Sequence, residues 1–263
     1  MQSDAPADGP AGDLVTANRV LYEQGVVDAF GHVSVRHGGD PERFLLARSM
    51  APGLVTSADV MTFALDGTLA GEDDRAQHVE RFIHGSIYRA RPDVAAIVHS
   101  HAPALLPFGL VPGVPLLPVW HMSAFLGAGV PVFEVRDAYG PDNDMLVRDE
   151  RGGAALAGSL GSHAAVLMRG HGATVVAATL KEAVFRAVYL MLNAQVQIDA
   201  MHLGAPTPLN EHEAARAAAT GPSQAERAWS LWTTEHDAAP SRGTARGFAR
   251  NSAGTTTARP AMP

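Results

Sequence analysis

Hydrophobic residues recur at helical spacing, three or four positions apart, in three segments of the chain. Asp13 precedes the first segment and Thr179 precedes the last, and both residue types favour the N-terminal cap of a helix. The second segment stops at Pro92, whose ring cannot continue a helix. The predicted helices cover residues 14–25, 78–91 and 180–203.

Shorter apolar runs predict strands. HVSVR, residues 32–36, alternates between polar and apolar positions, as a half-buried strand does. Helices and strands follow one another in mixed order, without regular strand–helix–strand repeats. The pattern therefore predicts an α/β fold, a single three-layer α/β/α domain with a largely antiparallel central sheet. The other predicted strands cover residues 44–47, 59–64, 95–101, 164–168 and 173–176.

The two ends of the chain have a different composition from the middle. Residues 1–12 are rich in Ala, Gly, Pro and Asp, and residues 241–263 contain few large apolar side chains. Such segments bury too little apolar surface to offset the entropy of ordering, so both ends are expected to be disordered. One catalytic domain is expected over residues 13–240.

Composition narrows the function classes. The chain of 263 residues is 46% hydrophobic and 18% charged, as expected for a folded domain with its own core. It has no cysteine, so any metal must be held by His, Asp or Glu. A net charge of −7 argues against nucleic acid as a partner. Neither a signal peptide nor an apolar stretch of membrane-spanning length is evident, so no membrane partner and a cytoplasmic location are expected.

Two histidine motifs suggest a metal site. His99 and His101 are two positions apart on a predicted strand, so both imidazoles face the same side. His171 lies between Gly170 and Gly172 in a predicted turn, where glycine allows positive φ and close backbone approach. Three imidazoles would leave a coordination position open, as catalytic metal sites do. Either motif alone is more typical of ordinary structural histidines than of a metal site, and spacing does not show that the two motifs meet.

Three motifs resemble the class II aldolase and adducin family. They are GHVSVR at residues 31–36, VHSHAP at residues 98–103 and RGHG at residues 169–172, in the order and spacing of that family. Glu80 precedes the second motif. The resemblance covers roughly residues 14–204 and implies an α/β/α domain that assembles as a homotetramer, with active sites between subunits.

The same resemblance implies roles for individual residues. A divalent ion, usually zinc, would be held by His99, His101 and His171; manganese, iron or cobalt also suit all-imidazole ligation. Glu80 would be the acid/base carboxylate, which either binds or orients the ion before the substrate arrives or relays the proton. Without the resemblance, a helix residue that pairs with His84 one turn later is an equally good interpretation of Glu80.

The sugar-phosphate aldolases of the family carry small hydroxyl and amide groups around their phosphate pocket, and this chain does not. Larger side chains stand at the equivalent positions, so the expected substrate is a small carboxylated molecule rather than a phosphate ester. The Arg48 guanidinium suits such a substrate, because a guanidinium binds a carboxylate through two hydrogen bonds. The alternative for Arg48 is an ordinary surface ion pair. The candidate substrate-binding residues are His32, Arg48, Ser49 and His78.

The segments ERFIHGSIYRARPDV and PVWHMSAFLG resemble the decarboxylases of aromatic compound catabolism. This resemblance implies a metal-dependent carbon–carbon lyase that decarboxylates a carboxylated catechol, such as 3,4-dihydroxyphthalate, or a carboxylated ring-cleavage product through a metal-stabilised enolate. His121 stands near the position where the aldolases have a proton-donating tyrosine from the neighbouring subunit, and is the candidate general acid. The alternatives are an aldolase for a non-phosphorylated hydroxy-oxo acid and a metal-free, adducin-like interaction module.

Overall fold

The computed structural model describes residues 9–238. The tail predicted to be disordered, residues 241–263, lies outside this range, as do residues 1–8 at the N-terminus. The first helix begins at Pro10, so the predicted start after an Asp13 cap is wrong. Proline suits the first turn of a helix because its missing N–H would have no partner there, and the Asp13 carboxylate lies in the first turn near the positive helix end.

A seven-stranded sheet forms the centre of the fold, in the order β3-β2-β1-β4-β7-β6-β5. Every neighbouring pair is antiparallel except β5 and β6. The sheet confirms the predicted α/β class with a largely antiparallel centre, and it adds β5, which the sequence did not reveal. The strands are β1 His32–Arg36, β2 Arg43–Ala47, β3 Val60–Ala64, β4 Ala96–Ser100, β5 Val132–Phe133, β6 Ala165–Met168 and β7 Gly172–Ala177.

Helices cover both faces of the sheet and complete three layers. The helix predicted over residues 78–91 begins later, at Arg81, so His78 and Glu80 lie in the segment that enters it. Thr179 caps the long helix as predicted, because its side chain accepts a hydrogen bond from the Glu182 N–H. The helices are α1 Pro10–Glu23, α2 Arg81–Ala90, α3 Leu106–Leu110, α4 Val135–Tyr139, α5 Glu150–Leu160, α6 Leu180–Leu203, α7 Glu211–Ala218 and α8 Gly221–Ala238.

Each sheet face has its own hydrophobic core. Val98 of β4 packs on the side of α1, α6 and α8, whereas its neighbour Ile97 packs on the side of α2 and α5. This follows from the two-residue period of a strand. His99 therefore points to the α2 side, and the segment that carries Glu80 leads directly into α2. Among residues 9–238, no helix is long and apolar enough to cross a bilayer.

Candidate active site

A row of polar residues crosses three neighbouring strands on the α2 side of the sheet. His99 of β4 pairs with His32 of β1 on one side and with Thr174 of β7 on the other. Directly paired residues of antiparallel strands point to the same face. All three side chains are buried, so the sheet presents this polar row to the interior of the domain.

The three histidines predicted as metal ligands converge at the end of β4. His101 follows the last residue of the strand, and its Nε2 lies 3.0 Å from Nε2 of His99. The Nε2 of His171, from the turn between β6 and β7, lies 3.0 Å from the same His101 atom. The structure therefore brings together two motifs that the sequence leaves 70 residues apart.

The glycines on either side of His171 have the two roles predicted for them, a positive φ and a close backbone approach. Gly170 has a φ of 66°, in the left-handed region that favours glycine. At Gly172, a Cβ atom would collide with the backbone oxygen of Ser100. Bare backbone at this point lets β7 approach the end of β4, which places the His171 ring beside His99 and His101.

We expect Gly172→Ala to lower the free energy of unfolding by about 1–3 kcal/mol, because overpacking against rigid backbone forces the strand away. The same displacement moves His171 and weakens metal binding. Denaturant unfolding and metal titration test both effects. Gly158→Ala is the matched control, since open space surrounds that helical position and alanine favours the helix. Equal stability of the two variants would contradict the role assigned to close approach.

Glu80 completes the cluster. One carboxylate oxygen, Oε1, accepts a hydrogen bond from the Val147 N–H at 3.0 Å. The other, Oε2, lies 3.4 Å from Nε2 of His171 and 3.6 Å from Nε2 of His99. Glu80 is buried, so its interpretation as a surface helix residue that pairs with His84 is wrong. The ligand atoms of Glu80 and the three histidines all lie within 4.8 Å of one another.

In His171 and His99, a hydrogen bond at Nδ1 determines that Nε2 faces the cluster. His171 donates from Nδ1–H to the Met145 carbonyl oxygen at 2.8 Å. The Thr174 hydroxyl donates to the Met168 sulfur, so its oxygen accepts from Nδ1–H of His99 at 3.2 Å. In both neutral rings Nε2 is left with a bare lone pair that faces inward.

This donor set fits a divalent cation. Two lone pairs, a third imidazole nitrogen and a carboxylate oxygen converge here. A hydrogen on Nε2 of His101 can be directed at only one of its two imidazole neighbours at a time, so the cluster keeps an excess of acceptors. A metal–nitrogen distance of about 2.0–2.1 Å places two nitrogens about 3 Å apart, as the His99–His101 and His171–His101 pairs are. His99, His101 and His171 would hold such an ion, with Glu80 beside it.

The electrostatics of the cluster also favour a cation. Burial, followed by the neighbouring rings of His171 and His101, lowers the pKa of His99 well below its usual value. Burial also acts to lower the pKa of His171, but hydrogen bonding to Glu80 and the Glu80 charge outweigh it and raise the pKa. The negative field that stabilises a proton at Nε2 of His171 stabilises any cation at that place.

A loop between α4 and α5 supports both Glu80 and His171, a role that no sequence pattern indicated. Met145 supplies the carbonyl that orients His171, and Val147 supplies the N–H that binds Glu80. Met145 has a φ of 70°, the sole positive value at a non-glycine residue within residues 9–238. The Asn143 side chain stabilises this conformation by accepting a hydrogen bond from the Met145 N–H at 2.9 Å.

Two of the four predicted substrate-binding residues lie next to the cluster. The His32 ring stacks on His99, with ring centroids 4.9 Å apart, and the His78 ring centroid lies 4.7 Å from that of His32. Burial lowers the pKa of His78 to about 4, so its ring is neutral near pH 7. Two neutral imidazoles beside the cluster offer hydrogen bonds to a ligand but little charge.

Arg48 and Ser49 have other partners. The Arg48 guanidinium forms an ion pair with Asp59 at 2.7 Å, the alternative that the sequence left open. The Asp59 carboxylate also accepts hydrogen bonds from the backbone and hydroxyl of Thr56, so it holds Arg48 from a fixed position. Ser49 is exposed, and its backbone N–H donates to the Ala76 carbonyl.

His121, the predicted general acid, lies apart from the cluster of Glu80 and the three histidines. It is the first residue of a 3-10 helix, His121–Leu126, and its side chain is exposed. It lines a groove with Phe125, Glu182 and Arg186, and none of the cluster residues takes part in that groove. Within one chain, the structure does not bring His121 to Glu80 and the three histidines.

Two further buried polar residues on α2, His84 and Tyr88, were not predicted from the sequence. His84 is fully buried and contacts His32 and Ser34, and Tyr88 contacts Ser34 one helical turn later. Burial, followed by the His78 ring, lowers the pKa of His84 to about 3, so it is neutral near pH 7. A spacing of four residues between polar groups on the face that also carries Ile83 and Ile87 was the available signal.

Comparison with known proteins agrees with the fold. The profile of the "Class II Aldolase and Adducin N-terminal domain" matches residues 12–198. The chain belongs to the class II aldolase and adducin family, as its motifs predicted.

Individual relatives narrow the class further. The chain is 37% identical over 253 residues to decarboxylase tropJ of Talaromyces stipitatus, covering 88% of this chain and 95% of that protein. It is 30% identical over 192 residues to a 3,4-dihydroxyphthalate decarboxylase of Arthrobacter keyseri, covering 66% of this chain and 72% of that protein. These similarities confirm the predicted resemblance to decarboxylases of the family.

A solved structure supports the same fold. L-fuculose 1-phosphate aldolase from Glaciozyma antarctica PI12 superposes with a TM-score of 0.69 at 25% identity. The match covers 86% of this chain and 88% of that one. The chain therefore has the fold of this class II aldolase.

Proposed function

We propose that the protein is a metal-dependent decarboxylase of aromatic compound catabolism. Its substrate is a carboxylated catechol, such as 3,4-dihydroxyphthalate, or a carboxylated product of ring cleavage. The observation that carries the proposal is the convergence of three imidazole nitrogens and the Glu80 carboxylate within 4.8 Å. The two relatives named as decarboxylases support the reaction class, and the second supports the substrate.

The reaction breaks the bond between the substrate carbon and its carboxylate. Carbon dioxide leaves, the electron pair stays on that carbon, and a proton must be delivered to it. His99, His101 and His171 would hold a divalent ion, zinc in this proposal, which would supply Lewis-acid chemistry. The buried side chains of His99 and Thr174 exclude water from the sheet side of the cluster.

His32 and His78 support binding of a carboxylated substrate. Both rings lie beside the cluster, and both offer hydrogen bonds where the sugar-phosphate aldolases have smaller groups. Arg48 binds Asp59 through its Nε, and its terminal N–H groups are the proposed contacts of the substrate carboxylate. Ser49 lies next to Arg48 at the exposed edge.

His121 is the proposed general acid, supplied by a neighbouring subunit. Its exposed position, apart from the cluster of its own chain, is what a residue that completes another subunit's site requires. The proposal therefore includes a homotetramer with active sites between subunits. Proton transfer from a positioned histidine typically contributes about 10²–10⁴-fold to the rate.

Glu80→Gln tests the role of the carboxylate. The glutamine oxygen can still accept the Val147 hydrogen bond, so the fold is kept. We expect an approximately 10²-fold loss in kcat with full metal content, because three imidazoles suffice to hold the ion while an amide cannot carry a proton. Metal analysis and steady-state kinetics measure the two effects separately. Loss of metal in parallel with activity would instead make Glu80 a ligand.

The function itself is tested by a product screen. Metal-replete protein is incubated with carboxylated catechols, their ring-cleavage products and non-phosphorylated hydroxy-oxo acids, with and without chelator. We expect carbon dioxide release that chelation abolishes. Pyruvate or aldehyde release would establish the aldolase alternative, which the similarity to L-fuculose 1-phosphate aldolase favours. Purified protein that binds no metal would leave the adducin-like interaction module.

A further inference from the structure

Four polar side chains form a continuous buried chain between β1 and α2. The Tyr88 hydroxyl lies 2.8 Å from Oγ of Ser34, which lies 2.6 Å from Nδ1 of His84. The chain ends at His32, whose Nδ1 lies 2.7 Å from Nε2 of His84. None of the four residues is more than 6% exposed, so water does not supply alternative partners for the inner three.

The buried phenol sets the direction of these hydrogen bonds. Within residues 9–238, Ser34 is the hydrogen-bond partner of the Tyr88 hydroxyl, so the phenolic hydrogen is donated to Oγ of Ser34. Ser34 then donates its own hydrogen to Nδ1 of His84. His84 is left with its hydrogen on Nε2, which it donates to Nδ1 of His32.

The opposite direction leaves a buried group unpaired. If His32 donated from Nδ1, each later group would donate onward, and the hydrogen of the Tyr88 hydroxyl would have no acceptor among the described residues. The outcome for His32 does not depend on the charge of His84. A protonated His84 would also donate to Nδ1 of His32.

The remaining nitrogen of His32 faces the active site. No described residue bonds to Nε2 of His32, yet no buried side-chain nitrogen or oxygen in residues 9–238 lacks a partner, so this atom reaches the accessible surface. The His32 ring stacks on the metal-ligand candidate His99 and also contacts the His78 ring, so this surface adjoins the metal cluster.

We propose that Tyr88, Ser34 and His84 are positioning residues that hold His32 with its hydrogen on Nε2, so that His32 donates a hydrogen bond to an anionic oxygen of the substrate. The identity of that oxygen, a carboxylate next to the breaking bond, rests on the proposed function. A fixed donor favours acceptors such as carboxylate or phenolate oxygen over groups that only donate.

The tautomer is measured directly by 15N NMR of zinc-loaded protein labelled in its histidine side chains, with His32 assigned by the signals absent from His32→Gln. We expect a bare Nδ1 and a protonated Nε2 in His32. Signals for a protonated Nδ1 and a bare Nε2 would overturn the proposal. This measurement needs no substrate, so a failure to find decarboxylation would remove the proposed function and leave the tautomer result standing.

Two substitutions of His84 test the consequence for binding. His84→Met removes the donor to His32, and we expect KM for the carboxylated substrate to rise about tenfold with metal content unchanged. His84→Gln restores an N–H donor at a similar distance, and we expect it to recover most of that loss. Exposed His212→Met is the matched control. Equal KM values for folded His84→Met, His84→Gln and the control would overturn the positioning role, and thermal unfolding of each variant verifies the fold.

Discussion

His101→Ala is expected to abolish metal binding and to lower the rate of decarboxylation by about 10³-fold. His101 is the shared partner of the other two imidazoles, because its Nε2 lies 3.0 Å from both His99 and His171. A Lewis acid contributes several kcal/mol to the transition state, and each 1.36 kcal/mol corresponds to about a tenfold change in rate. Metal analysis of purified protein and an assay of carbon dioxide release measure the two losses.

His101 is the best of the three ligands for this experiment because it is less buried than His99. It follows β4 rather than lying within it, so alanine leaves the sheet intact. His212→Ala, on the exposed face of α7, is the matched histidine control and is expected to keep full metal content and activity. Full activity of a metal-free His101→Ala protein would disprove the proposed chemistry.

The second large effect is expected from mixing two inactive variants. His121→Ala is expected to lose about 10²–10⁴-fold in rate, as removal of a general acid does. If His121 serves the cluster of a neighbouring subunit, joint unfolding and refolding of His121→Ala with His101→Ala regenerates some intact sites. With random assembly, about one quarter of the sites combine an intact cluster with an intact His121. Activity should therefore recover to about that fraction of the unsubstituted protein.

The mixing experiment distinguishes the assembly from the chemistry. A mixture that stays inactive, although each variant refolds and assembles, would show that His121 and the cluster do not cooperate across subunits. His121→Ala with unchanged activity would remove it as the general acid. Neither result would affect the metal site, which His101→Ala tests on its own.

The sequence was informative where local pattern determines structure. The two-residue period of β4 placed His99 on one face, and the glycines at positions 170 and 172 indicated both a left-handed turn and a close approach. These features depend on residues that are neighbours in the sequence, so they can be predicted without knowledge of the tertiary structure. The resemblance to the class II aldolase and adducin family then joined motifs that spacing could not join.

Boundaries and partners from distant segments were less predictable. The first helix begins at Pro10 rather than after Asp13, and Arg48 faces Asp59 at a distance of 2.7 Å. Glu80 was expected to be either catalytic or paired with His84, and the structure excludes the pairing. The partners of Arg48 and Glu80 depend on contacts formed only when separate elements pack together.

The sequence by itself determined the α/β class, the antiparallel centre and the three histidines that form the cluster. The strand period, the turn glycines and the order of the motifs are local features of the sequence, so they can be recognised without the structure. The tertiary structure decided how those histidines are held. Met145 orients His171 from a position 26 residues away in the sequence. Val147 binds Glu80 from a position 67 residues away. His84 meets Ser34 across 50 residues. Hydrogen-bond direction and tautomer depend on such long-range partners, and no local pattern encodes them.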